Sequence, residues 1–276
     1  MLKTQGFSAR QLDLFRHYQQ RSYALLESVA AELKPGMTEK DAARQLRKAF
    51  HEDGVHTYFH VPVVMFGERT AYPGDFGQLE ALATDRKLAA GEPVILDAAP
   101  VYEGYTVDTS YACIAKPNKT FEDLDGRLKE LRGLILELTR ERRSMQQISW
   151  AVDDQIKFWG LENCHRKHIA AVLGHRVTSS SPNLLGNSRI WGLAPQPVSY
   201  FLLTTSLAGL GLRRSTPNWN HTKACDCPPL PGLWAMEPHI AENGIGVKFE
   251  EIMVVTRKDA YWLDDDLPHC RRWKSS

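Results

Sequence analysis

Two aspartates occupy positions in the sequence that are predicted to be buried, where a charged side chain is unfavourable. Asp97 interrupts an apolar run over 94–99, and Asp108 follows on the predicted partner strand of a hairpin. A carboxylate buried among apolar residues is unfavourable unless it is paired with a cation or binds a metal ion. Two such acids on one hairpin therefore indicate the floor of a metal site.

A second hairpin carries two more acids. Its turn is Asn243-Gly244, the dipeptide most typical of a two-residue hairpin loop. With that loop, Glu237 lies opposite Glu250, and both side chains point to one face of the ladder. His239 shares this face, whereas Glu251 points to the other.

The register of the first hairpin has two solutions. A turn at Glu103-Gly104 places Asp97 opposite Ser110, with Asp108 as a diagonal neighbour on the same face. A longer loop centred on Tyr102-Glu103 would place Asp97 directly opposite Asp108. Both solutions keep the two aspartates on one face, but their separation differs.

Four carboxylates that converge in a core repel one another, and two divalent cations would cancel their charge. An oxygen-rich site with one imidazole suits manganese, iron, cobalt or zinc. His175, which follows a short apolar stretch, is the natural fifth ligand. The competing interpretation is that these are four unrelated surface acids.

The elements that position these residues form an internal structural repeat. The first half reads as a helix over 9–34, a helix capped by Thr38-Glu39-Lys40-Asp41, a β-like stretch over 56–66 and the first hairpin. The second half reads as a helix over 121–142, a helix capped by Ser144–Gln147, an apolar stretch over 169–174 and a hairpin over 232–256. An insertion at 178–232 is the departure between the halves, and 1–276 is expected to form a single catalytic domain.

Composition excludes several classes of partner. With 276 residues and a formal net charge of +1, the chain gives no support for binding nucleic acid or an anionic membrane. No apolar segment resembles a signal peptide or a membrane span. The five scattered cysteines are expected to be reduced thiols in a cytoplasmic protein.

Five motifs together resemble the pita-bread metallopeptidase family, which includes methionine aminopeptidase, Xaa-Pro aminopeptidase, prolidase and creatinase. They are KPGMTEKD at 34–41, GEPVILDAAPVYEGYTVDTSY at 91–111, LGH at 173–175, AMEPHI at 235–240 and GVKFEEIMVVT at 246–256. The resemblance runs from about residue 10 to 256. It implies an α+β fold in which two pseudo-symmetric helix-helix-strand-hairpin halves surround a central curved antiparallel sheet. It also implies a homodimer.

The resemblance assigns the metal ligands one by one. Asp108 and Glu250 would bridge two divalent metal ions, Asp97 would bind one ion, and His175 and Glu237 would bind the other. Glu237 is also the expected proton acceptor, and both Glu237 and His175 are expected to be catalytic.

Two histidines of the family pattern are missing. The loop before the first hairpin reads Ala71-Tyr72-Pro73-Gly74-Asp75, and the segment after His175 reads RVTSSSPN. In the family, histidines at these places hold the substrate carbonyl and stabilise the tetrahedral intermediate. Candidates to replace them as substrate-binding residues are His60, His221 and His239, each of which could instead be a surface or packing histidine.

The expected function is dinuclear, metal-dependent hydrolysis of a peptide or amide C–N bond in a short peptide, possibly Xaa-Pro, by metal-activated hydroxide. The alternative, favoured by the missing histidines, is a related metalloenzyme acting on a small non-peptide or modified amino-acid metabolite. A third reading is a metal-free binding module. The uncharged run Val198–Leu212 is expected to line an apolar pocket or a subunit interface, or to be buried in the core.

Replacing one predicted ligand tests the metal site directly. Asp97→Asn or Glu250→Gln should abolish both bound metal and activity, because each removes a charged ligand without changing side-chain size. Metal content per chain and hydrolytic rate are the measurements. Full activity in a metal-free variant would contradict the assignment.

Overall fold

The computed structural model describes residues 2–74, 80–168, 171–180, 192–212 and 216–275. Its helices are α1 (Ala9–Glu32), α2 (Glu39–Glu52), α3 (Lys119–Arg140), α4 (Met145–Phe158), α5 (Pro195–Gly209) and α6 (Pro268–Ser275). Its strands in the first half are β1 (Val63–Phe66), β2 (Pro93–Ala98), β3 (Val101–Tyr102), β4 (Tyr105–Thr106) and β5 (Thr109–Ile114). The later strands are β6 (Glu162–Asn163), β7 (Gly174–Val177), β8 (Asn218–Trp219), β9 (Gly232–Met236), β10 (His239–Glu242), β11 (Ile245–Val255) and β12 (Ala260–Trp262).

The main sheet shows the predicted repeat in its strand order. Strands follow one another as β1-β2-β5-β11-β9-β7-β8, and every neighbouring pair is antiparallel. The strands β5 and β11 meet at the centre, where Ser110 pairs with Glu250. On either side of this seam a hairpin partner is followed by a further strand, β1 in the first half and β7 in the second, so the two halves have matching layouts; β8, which belongs to the insertion, extends the second half by one strand.

Each half supplies a long helix and a capped helix. The predicted capping boxes are both present: Thr38 exchanges hydrogen bonds with Asp41, and Ser144 does so with Gln147. These bonds satisfy amides that the first helical turn leaves without partners. Helix α1 packs against β5 and α3 packs against β11, so the long helices support the strands that meet at the seam.

The core lies between these helices and the sheet. The predicted inner stripes are buried, including Leu46 and Phe50 of α2 and Ile148 and Val152 of α4. Trp219 and Trp234, both almost fully buried, pack edge to face with ring centroids 5.3 Å apart. Such a core gives the sheet a rigid framework on which side chains can be positioned.

Both hairpins have the registers that the turn chemistry predicts. Asp97 pairs with Ser110, so the shorter of the two first-hairpin loops is present and the alternative that opposed Asp97 to Asp108 is wrong. In each turn both residues have positive φ, at Glu103-Gly104 and at Asn243-Gly244. This conformation matches the right-handed twist of the flanking strands.

The second hairpin is interrupted at its first acid. Strand β11 is continuous, but its partner is divided into β9 and β10 around Glu237-Pro238. Proline has no amide hydrogen to donate to the ladder, which accounts for the break. The register is the same on both sides, since Met236 pairs with Glu251 and His239 pairs with Lys248.

Three expected features differ in detail. The β-like stretch over 56–66 forms a strand only from Val63, because Pro62 cannot donate to a ladder. Residues 169 and 170 of the apolar stretch lie outside the described residues.

The uncharged run Val198–Leu212 forms most of α5. Four leucines of this run are more than 60% exposed, namely Leu202, Leu203, Leu210 and Leu212. The expectation that the run is buried in the core is therefore wrong for these four residues.

No helix among the described residues has both the length and the apolar character needed to cross a membrane. All five cysteines are free, as expected from their scattered positions.

A buried ion pair links α3 to the central strand. The guanidinium of Arg132 donates to both carboxylate oxygens of Glu251, at 2.6 and 3.1 Å, and Glu251 is fully buried. Arg132→Met should therefore lower the free energy of unfolding by about 3–5 kcal/mol, because it leaves a buried carboxylate without its counter-ion.

The measurement is urea unfolding followed by circular dichroism. The matched control is Arg143→Met, since Arg143 pairs with Glu141 at the surface and its loss should cost about 0–1 kcal/mol. Equal losses in the two variants would contradict the role given to Arg132.

Candidate metal centre

The structure brings all five predicted ligands to one buried cluster. Asp97 lies in β2, Asp108 immediately precedes β5, His175 lies in β7, and Glu250 lies in β11. Glu237 occupies the break between β9 and β10. Each is at most 6% exposed, so the cluster belongs to the interior of the protein.

The geometry suits a divalent cation at two overlapping places. His175 Nε2 lies 3.2 Å from Asp108 Oδ2 and 3.3 Å from Glu250 Oε1. On the other side of Asp108, His60 Nε2 lies 3.1 Å from its Oδ1 and 3.5 Å from Asp97 Oδ1. These contacts define two groups of possible ligands, one of His175, Asp108 and Glu250 and the other of His60, Asp97 and Asp108. Within each group, one ligand atom from each residue lies within 4.8 Å of the other two. Asp108 belongs to both groups.

One carboxylate oxygen has the surroundings that suit a metal ligand. Asp97 Oδ1 is buried and accepts no hydrogen bond from any of the described residues. A buried oxygen of this kind is costly unless an ion or water completes its coordination. Carboxylate oxygens with one or two imidazoles are the ligands that manganese, iron, cobalt and zinc accept.

A lysine also lies within the cluster. Lys248 is 3% exposed, and its Nζ donates to Asp97 Oδ2 at 2.6 Å. The same Nζ lies 3.4 Å from Glu237 Oε2 and 3.4 Å from Glu250 Oε2. Burial alone would lower the pKa of Lys248, but the surrounding carboxylates outweigh it and hold that pKa well above its usual value. Lys248 is therefore a charged ammonium.

The carboxylates differ in their protonation because their neighbours differ. Burial and the charges of Asp108 and Glu237 raise the pKa of Glu250 to about 8. Burial also acts on Glu237, but Lys248 and His168 outweigh it and lower that pKa to about 2. For Asp108, burial is outweighed by His60 and His175, which hold its pKa well below the usual range.

A hydrogen-bonded chain of two histidines reaches Glu237. His239 Nε2 donates to the carbonyl of Thr70 at 2.6 Å, and His239 Nδ1 lies 3.2 Å from His168 Nε2. His168 Nδ1 then faces Glu237 Oε2 at 2.8 Å. Burial, the largest influence, lowers the pKa of both rings. Since every ring nitrogen has a partner, the orientation of His168 toward Glu237 is fixed.

The three histidines predicted to bind substrate have different surroundings. His60 contacts Asp108 and keeps a side-chain exposure of 36%, so it faces both the cluster and solvent. His239 is fully buried and reaches the cluster through His168. No hydrogen bond among the described residues joins His221 to a predicted ligand; its carbonyl accepts a bond from Gln146 of α4.

Aromatic side chains cover the imidazole of His175. Phe59 stacks on that ring with centroids 5.4 Å apart, and Phe201 of α5 meets it edge-on at 5.9 Å. The two phenylalanines also contact each other, with centroids 5.3 Å apart. The inserted segment therefore reaches the cluster through Phe201.

Sequence reasoning did not find His168 or Lys248. His168 follows the short 3-10 turn His165–Lys167, and no periodic pattern relates it to the hairpins. Lys248 could have been found, because it lies two residues before Glu250 in β11 and so shares its face.

These observations define the class of protein. The antiparallel sheet with duplicated hairpins is the pita-bread fold, and its buried acids and histidines are residue types that divalent metal ions accept. The chain belongs to metallopeptidase family M24, whose model matches residues 13–257.

Solved structures support the fold. The chain is similar to X-Pro aminopeptidase from Thermotoga maritima, with a TM-score of 0.67 and 16% identity over 94% of this chain and 62% of that one. It is similar to dipeptidase PepE from Mycobacterium ulcerans, with a TM-score of 0.63 and 21% identity over 95% of this chain and 59% of that one. Prolidase from Pyrococcus horikoshii gives a TM-score of 0.62 and 15% identity, covering 94% of this chain and 64% of that one.

Among curated proteins, an uncharacterized peptidase of Schizosaccharomyces pombe is 27% identical over 118 residues, or 43% of this chain and 25% of its own length. The chain spans about three fifths of the solved structures and a quarter of this curated relative.

The contact between His168 and Glu237 generates a test of the centre. His168→Ala should weaken Mn²⁺ binding by about 10–100-fold, because removing a side chain that orients a metal ligand has effects of that size. Isothermal titration of the metal-free protein gives the affinity, and His221→Ala is the control. Equal affinities in the two variants would contradict the orienting role of His168.

Proposed function

We propose that this chain hydrolyses the peptide or amide C–N bond of a short peptide at a centre of two divalent metal ions. The ligands would be Asp97, Asp108, His175, Glu237 and Glu250. The observation that carries the proposal is their convergence, all buried, around an Asp97 oxygen that accepts no hydrogen bond from the described residues. One catalytic domain over 1–276, with an insertion at 178–232, would supply the whole site.

Divalent ions at such a site lower the pKa of water and polarise a carbonyl group. Glu237 is the proposed proton acceptor, because it lies in the cluster beside the other acids and its contact with His168 fixes its position. His60 is the proposed contact for the substrate carbonyl. It is the partly exposed histidine of the cluster and replaces the family histidine that the loop at 71–75 lacks.

The proposed substrate is short because α5 reaches over the cluster. The contacts of Phe201 with His175 and Phe59 place apolar groups beside the reacting centre. Such groups would take up an apolar side chain or a proline ring. The names X-Pro aminopeptidase and prolidase, given to two similar structures, agree with proline as the second residue.

A small metabolite is the second candidate substrate. The small metabolite is favoured because the histidines near the acids differ from those of the family pattern. His60 contacts Asp108 and His168 contacts Glu237, and both histidines lie at other sequence positions than the family pattern uses. A changed set of contacts to the substrate carbonyl would suit a smaller amide or a modified amino acid. A metal-free binding module remains the third reading.

We also propose a cytoplasmic homodimer. Its location is supported by the five free cysteines, and its assembly by the four exposed leucines within α5 and just after it.

A substrate screen distinguishes these functions. The protein, dialysed against chelator and then reloaded with Mn²⁺ or Zn²⁺, should release free amino acids from Xaa-Pro dipeptides and lose this activity when chelator returns. Asp97→Asn is the matched inactive control. Turnover of small amides without turnover of any dipeptide would favour the second candidate. Equal hydrolysis by the wild type and Asp97→Asn would contradict both.

A further inference from the structure

Tyr72 has an unusual backbone conformation for its residue type. Its φ of 52° and ψ of 64° lie in the left-handed region, which is unfavourable for a residue that has a β-carbon. Tyr72 is also 6% exposed, so its ring is buried in the protein. Strained residues of this kind persist where the surrounding contacts hold them, and they occur most often at functional sites.

Side chains of the second half hold the segment that ends at Tyr72. Each of three successive carbonyl groups, those of residues 70–72, accepts a hydrogen bond from such a side chain. In the order of the carbonyls, the donors are His239 Nε2 at 2.6 Å, Cys164 Sγ at 3.1 Å and Lys167 Nζ at 2.6 Å. These bonds stabilise the left-handed conformation from outside the loop and so fix the direction of the Tyr72 side chain.

The ring of Tyr72 packs against the two histidines that lead to Glu237. Its centroid lies 5.0 Å from that of His168 and 4.5 Å from that of His239. The centroids of the two imidazoles are 5.5 Å apart, so the three rings form one aromatic cluster. His168 Nδ1 lies 2.8 Å from Glu237 Oε2, which connects this cluster to the acids.

Ring packing and hydrogen bonding restrain His168 in different ways. The contacts at Nδ1 and Nε2 direct its imidazole toward Glu237 and His239. The Tyr72 ring restricts the rotamer of that imidazole, as close packing around a functional side chain does. Burial raises the pKa of Tyr72, so its side chain is a neutral phenol that adds no charge beside the acids.

We propose that Tyr72 is a positioning residue whose ring, in contact with His168 and His239, holds His168 against Glu237. This inference rests on the proposed role of Glu237 as metal ligand and proton acceptor, and it identifies what orients that carboxylate. Because the contacts are made by the ring, an aromatic replacement should preserve them and an aliphatic replacement should not.

The first test is isothermal titration of metal-free protein with Mn²⁺. Tyr72→Leu should weaken binding by about tenfold, the lower end of the range for residues that orient a metal ligand. Tyr72→Phe keeps the ring and should bind Mn²⁺ as the wild type does. Both replacements retain a β-carbon, so the cost of the left-handed backbone is unchanged.

A double-mutant cycle shows whether Tyr72 acts through His168. In the His168→Ala background, Tyr72→Leu should weaken Mn²⁺ binding by less than about twofold, because the side chain that Tyr72 positions has been removed. A structural role alone would give the same loss in both backgrounds. The matched control is Tyr18→Leu, since Tyr18 is 5% exposed and stacks on Tyr102 in the first hairpin; this variant should bind Mn²⁺ as the wild type does.

The orientation of His168 can also be measured without a metal ion. In metal-free protein labelled with ¹⁵N histidine, the signals of the His168 ring are assigned by their loss in His168→Ala. Their ¹⁵N shifts, which report hydrogen bonding at each nitrogen, should change in Tyr72→Leu and stay at the wild-type values in Tyr72→Phe. Circular dichroism checks that each variant is folded, and Tyr72→Met, which keeps an unbranched side chain, replaces Tyr72→Leu if the latter does not fold.

Three results would overturn the inference and leave the metal centre intact. They are equal losses of Mn²⁺ affinity in the two backgrounds, equal losses in Tyr72→Leu and Tyr72→Phe, and unchanged His168 signals in Tyr72→Leu. Absence of Mn²⁺ binding by the wild type would instead overturn the proposed function, and the histidine spectra would still decide whether Tyr72 positions His168.

Discussion

The burial of four carboxylates in one cluster is the constraint on which the rest of the structure depends. Asp97, Asp108, Glu237 and Glu250 lie together at the centre of the sheet with almost no exposure to solvent. Such a cluster is stable only if positive charge is supplied from every side. The chain supplies it from separate elements: Lys248 from β11, His175 from β7 and His60 from an irregular segment. The histidines and the lysine are thus structural requirements of the site as well as its chemical groups.

Duplication explains how the acids come together. Each half of the chain ends in a hairpin, and the inner strands of the two hairpins pair at the seam between β5 and β11. The pairing of Ser110 with Glu250 brings the acid of one hairpin beside the strand that carries Asp108. Because side chains alternate along a strand, one register per hairpin is enough to place all four carboxylates on one face.

This is why so much of the site could be predicted from the sequence. Turn dipeptides determine the register, and the register determines which side chains share a face, so Asp97, Glu237 and Glu250 follow from local rules. The second hairpin has the predicted register, and the first has one of the two registers that the sequence leaves open. His168 could not be reached in this way, because it approaches Glu237 through tertiary packing after a 3-10 turn. The exposure of α5 could not be predicted either, because the lack of charge in a segment does not show whether that segment is buried in the core or lies at the surface.

Two adjacent glutamates show what separates a metal ligand from a structural ion pair. Glu250 and Glu251 are both buried in β11 and point to opposite faces of the sheet. Glu251 has His269 and Cys270 beside it, residue types that bind metals, yet Arg132 already bonds to both of its oxygens. A bidentate guanidinium engages both oxygens of a buried carboxylate and cannot be displaced from it cheaply.

Within the part of the chain that the structure describes, the Glu250 carboxylate bonds to an imidazole and a shared ammonium, and its pKa is raised to about 8, so its ionised form is incompletely compensated. Glu251 therefore joins α3 to the sheet on one face, whereas the charge of Glu250 on the other face is not fully compensated by the protein. This uncompensated charge, rather than the presence of acids alone, distinguishes the face of Glu250 as the candidate metal site.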